Sequence, residues 1–235
     1  MRDMIHLRLW PVVIAGCLFF PLSADGAGAA RTEDKTMKES QGDFVRTLPA
    51  PVTKGKMSLE EAMKKRESVR DFSSAPLTDE ELAQLLWALQ GRTRAWGGRT
   101  APSAGALYPL EVYVVLPEGV FRYSPQDHRL VRSAAGDLRN ALASAALGQA
   151  CVREAPAVFV IAADYERTAR KYSSRAERYV KMEAGHAGQN LLLQAVALGL
   201  GAVPVGAFHD DQVRRVLGLP VNHEPLYLIP VGRGK

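Results

Sequence analysis

From about Tyr165 to Leu198 the chain keeps a helical pattern, then reaches Gly199-Leu200-Gly201 and an extended, Pro-containing run to Gly206. This order of helix, glycines and extended chain constrains the fold more than any other feature. A dinucleotide loop of the βαβ type needs the reverse, a strand that feeds a glycine turn from which a helix starts. Gly199 reads instead as the C-terminal cap of the preceding helix. The other elements do not restore a βαβ alternation either. Ser58-Leu59-Glu60-Glu61 is a capping box that predicts a short helix to about Arg66. Thr78-Asp79-Glu80-Glu81 is a second, opening a helix with Leu82, Leu85, Leu86 and Leu89 on one face and Gly91 as its stop.

"EVYVVL" predicts a strand, and "VFRYS" and "HRLVRS" around "PQD" predict a hairpin. "DLRNALASAAL" predicts a helix, "APAVFVIAAD" a buried strand, "DQVRRVL" a short helix and "PLYLIPVGR" a last strand. Helices and strands mix without regular alternation, which gives an α+β class with no internal repeat. With 235 residues, 47% of them hydrophobic, the chain can bury one core in one domain.

That domain is expected to span residues 57–235. Residues 30–56, polar with scattered Pro and Gly, read as a linker or surface arm. Residues 1–29 read as a secretory signal peptide. Arg2 and Arg8 precede the apolar run "LWPVVIAGCLFFPL", and Ala27-Gly28-Ala29 offers a small-x-small cleavage site. The run is short of the roughly 20 residues of a membrane span. The two arginines are not adjacent, so the route is Sec-type and the destination periplasmic or otherwise extracytoplasmic. A competing reading takes "IAGC" as a lipobox with Cys17 lipidated, against which Leu18-Phe19-Phe20 follows the cysteine.

Charge narrows the partners. The net charge of +5 is spread along the chain, without a basic run interleaved with aromatics, which argues against nucleic acid and leaves anionic small molecules. The five histidines show no metal-ligand spacing, and no metal is expected. His209-Asp210-Asp211 and His223-Glu224 read as solvated helix flanks. Cys151 reads as a small buried core residue. No G-x-S-x-G elbow supports hydrolase chemistry.

Three places converge on a ligand. In "KKRESVRDF" Arg66 and Arg70 are four apart, a spacing that repels on a helix unless an anion sits between them. Two guanidinium forks and the Ser68 hydroxyl suit a phosphate, although a basic helix end complementing its own dipole is an equal reading. "APSAGALYPLEVYVV", residues 101–115, sets small residues before a strand, where a flat ligand could approach the backbone or a plain loop could run. In "GLGAVPVGAF" Gly206 could present its N–H with no side chain in the way.

Together, "RESVRDF", "PSAGALYPLEVYVV", "EAGHAGQNLLLQAVALGLGAVPVGAF" and "IPVGR" resemble the nitroreductase-like flavoenzymes, and within them the SagB/ThcOx branch that includes azoline dehydrogenases. The resemblance spans about residues 55–235. It implies an antiparallel-rich central sheet flanked by helices, an interlocked homodimer, and one FMN at each site on the subunit interface. Arg66, Ser68, Arg70 and Arg233 would hold the FMN phosphate. Ser103, Ala104 and Gly105 would lie along the flavin from the other subunit. Pro204, Val205 and Gly206 would cover the ring, with the Gly206 N–H near flavin N5, the atom that takes hydride. The helical stripe Ala184, Gly188, Leu191, Ala195 and Leu198 would form the dimer interface, or equally the chain's own core. Lys171-Tyr172 resembles the Lys-Tyr motif of azoline dehydrogenases, with Arg170 where those enzymes often carry Leu. The pair would move the substrate proton, its pKa values depressed by Arg167, Arg170 and Arg175. The substrate would be a small molecule or peptide, with donor and acceptor open. Alternatives are an NAD(P)H-dependent nitro- or quinone reductase and a non-catalytic FMN carrier or sensor.

Overall fold

The computed structural model describes residues 44–235, so the signal peptide, Cys17 and the first part of the arm lie outside the described residues. Seven strands form one sheet in the order β1-β4-β3-β2-β5-β7-β6, with every neighbouring pair antiparallel. They are β1 (Val45–Thr47), β2 (Leu110–Leu116), β3 (Gly119–Ser124), β4 (Arg129–Ala135), β5 (Ala157–Ala163), β6 (Gly201–Ala202) and β7 (Glu224–Gly232). The helices are α1 (Leu59–Lys65), α2 (Asp79–Gln90), α3 (Arg139–Ala145), α4 (Ala150–Glu154), α5 (Tyr165–Tyr172), α6 (Ala176–Ala197) and α7 (Asp210–Leu217). The class is α+β.

β2 and β5 lie at the centre and are buried along their whole length, which is why both read as continuous apolar runs. One face of the sheet packs Val112, Val114, Phe159 and Ile161 against the leucines of α2 and against Leu191 and Ala195 of α6. The other packs Tyr113, Val115, Val158 and Val160 against Leu142, Val152 and Val213 of α3, α4 and α7. Cys151 is buried in this second layer, and burial raises its thiol pKa.

The Thr78 capping box is complete, with Thr78 Oγ1 accepting from Glu81 N and Glu81 Oε2 from Thr78 N. The Ser58 box is only half made. Ser58 Oγ accepts from Glu61 N, but the Glu61 carboxylate turns to Lys65 at 2.6 Å. The helical region of 165–198 is two helices. Ser173 takes φ 48° and a 3-10 turn follows before α6 starts. α6 closes as expected on Gly199, at φ 72°, with Leu200 N donating to Ala195 O and Gly199 N to Val196 O.

Of the two readings of the small-residue stripe of α6, the structure gives the chain's own core, and one expectation, on His223, is corrected. The stripe faces the chain's own sheet. Ala184, Leu191 and Ala195 belong to the core, and a Cβ at Gly188 would touch Ile161, Tyr227 and Ile229. His223 is not a solvated flank. A turn that donates His223 N to Pro220 O tucks the ring beneath β2, where Nδ1 lies 2.7 Å from the Tyr113 hydroxyl, and burial lowers its pKa. His209 does stand exposed at the start of α7.

Candidate functional site

The phosphate-reading residues are not on a helix. α1 stops at Lys65, and Arg66 is its extended C-cap. Beyond it, Ser68 bridges Ala202 in parallel and Phe72 bridges Gly234, with Val69 N donating to Ala202 O. Val69 anchors the segment, its side chain filling the space above Gly201 that a Cβ there would need. Ser68 and Arg70, on either side of Val69, are exposed. Among the described residues neither arginine is in an ion pair. Beside them, Val203 and Val205 bond along β7, Val205 is buried, and Pro204 and Gly206 are exposed. A Cβ at Gly206 would meet nothing, which leaves room for an approaching group. Arg233 joins this edge through its carbonyl, which accepts from Ser73 N. Its guanidinium instead holds Glu81 Oε1 at 2.7 Å and the Pro76 carbonyl.

The second group forms around Ser103. A 3-10 turn at Ala104–Ala106 is closed by Ser103 Oγ, which accepts from Tyr108 N at 2.8 Å. Gly105, Ala106 and Tyr108 all take positive φ, and only the first is free of a Cβ penalty there. A Cβ added at Gly105 would lie 2.9 Å from Tyr172 Oη and 3.1 Å from Lys171 Nζ. The fold therefore seats the Lys171-Tyr172 pair on the Ser103–Gly105 loop. Tyr179 supports the Tyr172 ring edge-on, and Lys171 lies over it. Arg167 does not serve this pair. It pairs with Glu111 and Asp164 and donates to the Tyr108 carbonyl.

The two groups meet different parts of α6. The Ser103 loop lies beside Glu183, and Ser68 pairs with Ala202, beyond the C-terminal end of the helix.

Glu183 escaped sequence reading. It sits within the buried series Val180, Glu183, Ala184, Ala187, Leu191, and a carboxylate at such a position was the available clue. Its Oε1 and the neighbouring Gln90 Nε2 are buried without partners. Burial pushes its pKa up to about 7, against smaller opposing effects of Ser103, Arg99 and Gln90. Between pH 4.5 and 7 the folded state then holds a proton that the unfolded state has released, so stability falls as pH rises through that window. Denaturant melts at pH 5 and pH 8 should show this loss in the wild type, with a flatter response in Glu183→Gln. An equal pH response in the two proteins would exclude Glu183 as its source.

The nitroreductase family model matches residues 63–233. A candidate nitroreductase of Methanocaldococcus jannaschii is 48% identical over 183 residues, covering 75% of this chain and 91% of its own. The crystal structure of a nitroreductase of Ralstonia eutropha superposes with a TM-score of 0.75 at 36% identity, over 81% of this chain and 90% of that one. The NADPH:FMN oxidoreductase of Vibrio harveyi, solved with NAD+, gives a TM-score of 0.58 at 26% identity, over 75% of this chain and 69% of that one. The match of residues 63–233, with 48% identity to the Methanocaldococcus relative, places the chain in the nitroreductase family of oxidoreductases.

Proposed function

We propose that the chain is an exported, FMN-dependent dehydrogenase of the SagB/ThcOx branch, acting as a homodimer with each flavin held by two copies. One observation carries the reading. Ser68 pairs with Ala202 beyond the C-terminal end of α6, in a segment whose two arginines are in no ion pair among the described residues, while the Ser103–Gly105 loop is seated against Lys171 and Tyr172 and meets α6 at Glu183. One chain thus offers two groups at different parts of α6, and the proposed dimer would bring one group from each copy to a single flavin.

The residues fit the group. Two guanidiniums outside any ion pair and a hydroxyl match a phosphate, and Gly206 leaves space where a planar ring needs close approach. When bound, FMN supplies the two-electron acceptor. Arg66, Ser68 and Arg70 bind its phosphate. Arg233, fixed to Glu81, positions the neighbouring Ser73 backbone. Ser103, Ala104 and Gly105 flank the ring from the other copy, Pro204–Gly206 excludes water, and Tyr172 Oη, assisted by Lys171, holds or moves the substrate proton.

Sedimentation of flavin-loaded protein at micromolar concentration should give a dimer, and a flavin-loaded monomer would contradict the shared site. The Vibrio harveyi relative supports a second reading, an NAD(P)H-dependent nitro- or quinone reductase. Rapid reduction of the bound flavin by NADPH would favour it, and a flavin reduced by neither NADPH nor an organic substrate would leave a carrier or sensor. Export rests on residues 1–29, and an intact Met1 in the mature protein would remove it.

A further inference from the structure

Around the ends of β2, β3 and β4 lies a cavity of about 570 Å³, the size of a small-molecule site. Five arginines line it, Arg99, Arg122, Arg129, Arg132 and Arg167, against one carboxylate, Glu111. The sheet register makes the cluster. Arg122 and Ser124 are two apart on β3, and Arg129 stands opposite Ser124, so both guanidiniums leave one face. Arg167 reaches in from α5. Glu111 is fully committed, accepting Arg122 at 3.0 and 2.7 Å on one oxygen and Arg167 at 2.6 Å on the other. Arg99 has no carboxylate. Its guanidinium bonds the Gln90 carbonyl at 2.8 Å and lies over the Tyr108 ring, and burial pulls its pKa down. Arg132 lies over Phe44, and Arg129 meets only the exposed Asp127.

Glu111, Asp164 and Asp127 meet Arg122, Arg167 and Arg129, which leaves Arg99 and Arg132 without a carboxylate among the described residues and the cavity with positive charge in excess. We infer that this cavity binds a diphosphate-bearing anion. Guanidinium forks match phosphoryl oxygens in pairs, and the spread of forks along two strands and α5 suits two linked phosphoryl groups better than one. The site is separate from Arg66–Arg70. In the strand order β6 lies four strands from β3, or about 19 Å at the usual interstrand spacing. The inference therefore uses none of the residues proposed for the flavin phosphate. Arg167, which also donates to the Tyr108 carbonyl at 2.7 Å, gives the cavity a common wall with the Ser103–Tyr108 loop.

The test is calorimetric titration of FMN-saturated protein at low ionic strength with inorganic pyrophosphate, sulfate and, separately, oxidised NADP. Pyrophosphate is expected to bind at least about tenfold more tightly than sulfate. Arg129→Gln, an exposed position that should leave folding intact, and Arg122→Gln should each weaken it by about tenfold or more with flavin content unchanged. Arg70→Ala should leave it unchanged. Parallel weakening of NADP binding would identify a dinucleotide as the source of the diphosphate, and unaffected NADP binding would identify a free diphosphate. Absence of pyrophosphate binding, equal binding of sulfate, or a loss in Arg70→Ala with none in Arg129→Gln would overturn the proposal.

Discussion

Arg70→Ala is expected to weaken FMN binding by about 2–5 kcal/mol while changing riboflavin binding far less. The prediction follows from the exposure of Arg70 two residues past Ser68 and from the absence of an ion pair at either arginine among the described residues. Arg233, which the same reading adds to the phosphate group, already holds Glu81 and the Pro76 carbonyl, so it cannot take over the charge without breaking both contacts. Removing Arg70 leaves the FMN phosphate one fork short, a loss that riboflavin, without a phosphate, does not feel. Paired titrations of the apoprotein with the two ligands measure the difference. Equal losses for both would show that Arg70 supports the fold of this edge rather than the phosphate.

Lys171→Ala and Tyr172→Phe are expected to keep FMN bound and to cut turnover of a good substrate by roughly 10²–10⁴-fold. Both side chains rest on Gly105, and Tyr172 is half-buried against Tyr179. Phe at 172 preserves that packing and removes only the hydroxyl, which isolates the proton-handling role. Flavin should be retained because neither side chain is among the residues proposed to hold its phosphate. Wild-type turnover in both variants would move the proton chemistry to another group.

Elements whose cause is local were legible in the sequence. Thr78 with Glu81 fixed the start of α2, four leucines fixed its buried face, and Gly199 fixed the end of α6. β2 and β5 were legible because strands buried on both faces are apolar throughout. What failed depends on partners far away in sequence. The alternative of a basic helix end at Arg66 and Arg70 holds for Arg66, the C-cap of α1, and stops there because Ser68 and Phe72 bridge Ala202 and Gly234. His223 read as solvated because its partner, Tyr113, is on another strand. β1, β6 and α4 are too short to show a period. The candidate site residues were named in the sequence by type, but the seating of Lys171 and Tyr172 on Gly105, and Glu183 beneath the same loop, needed the fold.

The pairing of Ser68 with Ala202 also sets a timetable for synthesis. About 130 residues separate the two segments, and at 5–20 residues per second the ribosome needs roughly 7–26 s to make them. Through that interval the 66–72 segment has no strand to pair with, the condition in which a chain adds to a neighbour's edge. Its sequence, RESVRDF, carries four charges of alternating sign in seven residues. Flat, uncharged stretches are the ones that stack between chains, and this one is protected by the same guanidiniums that are proposed to hold the phosphate.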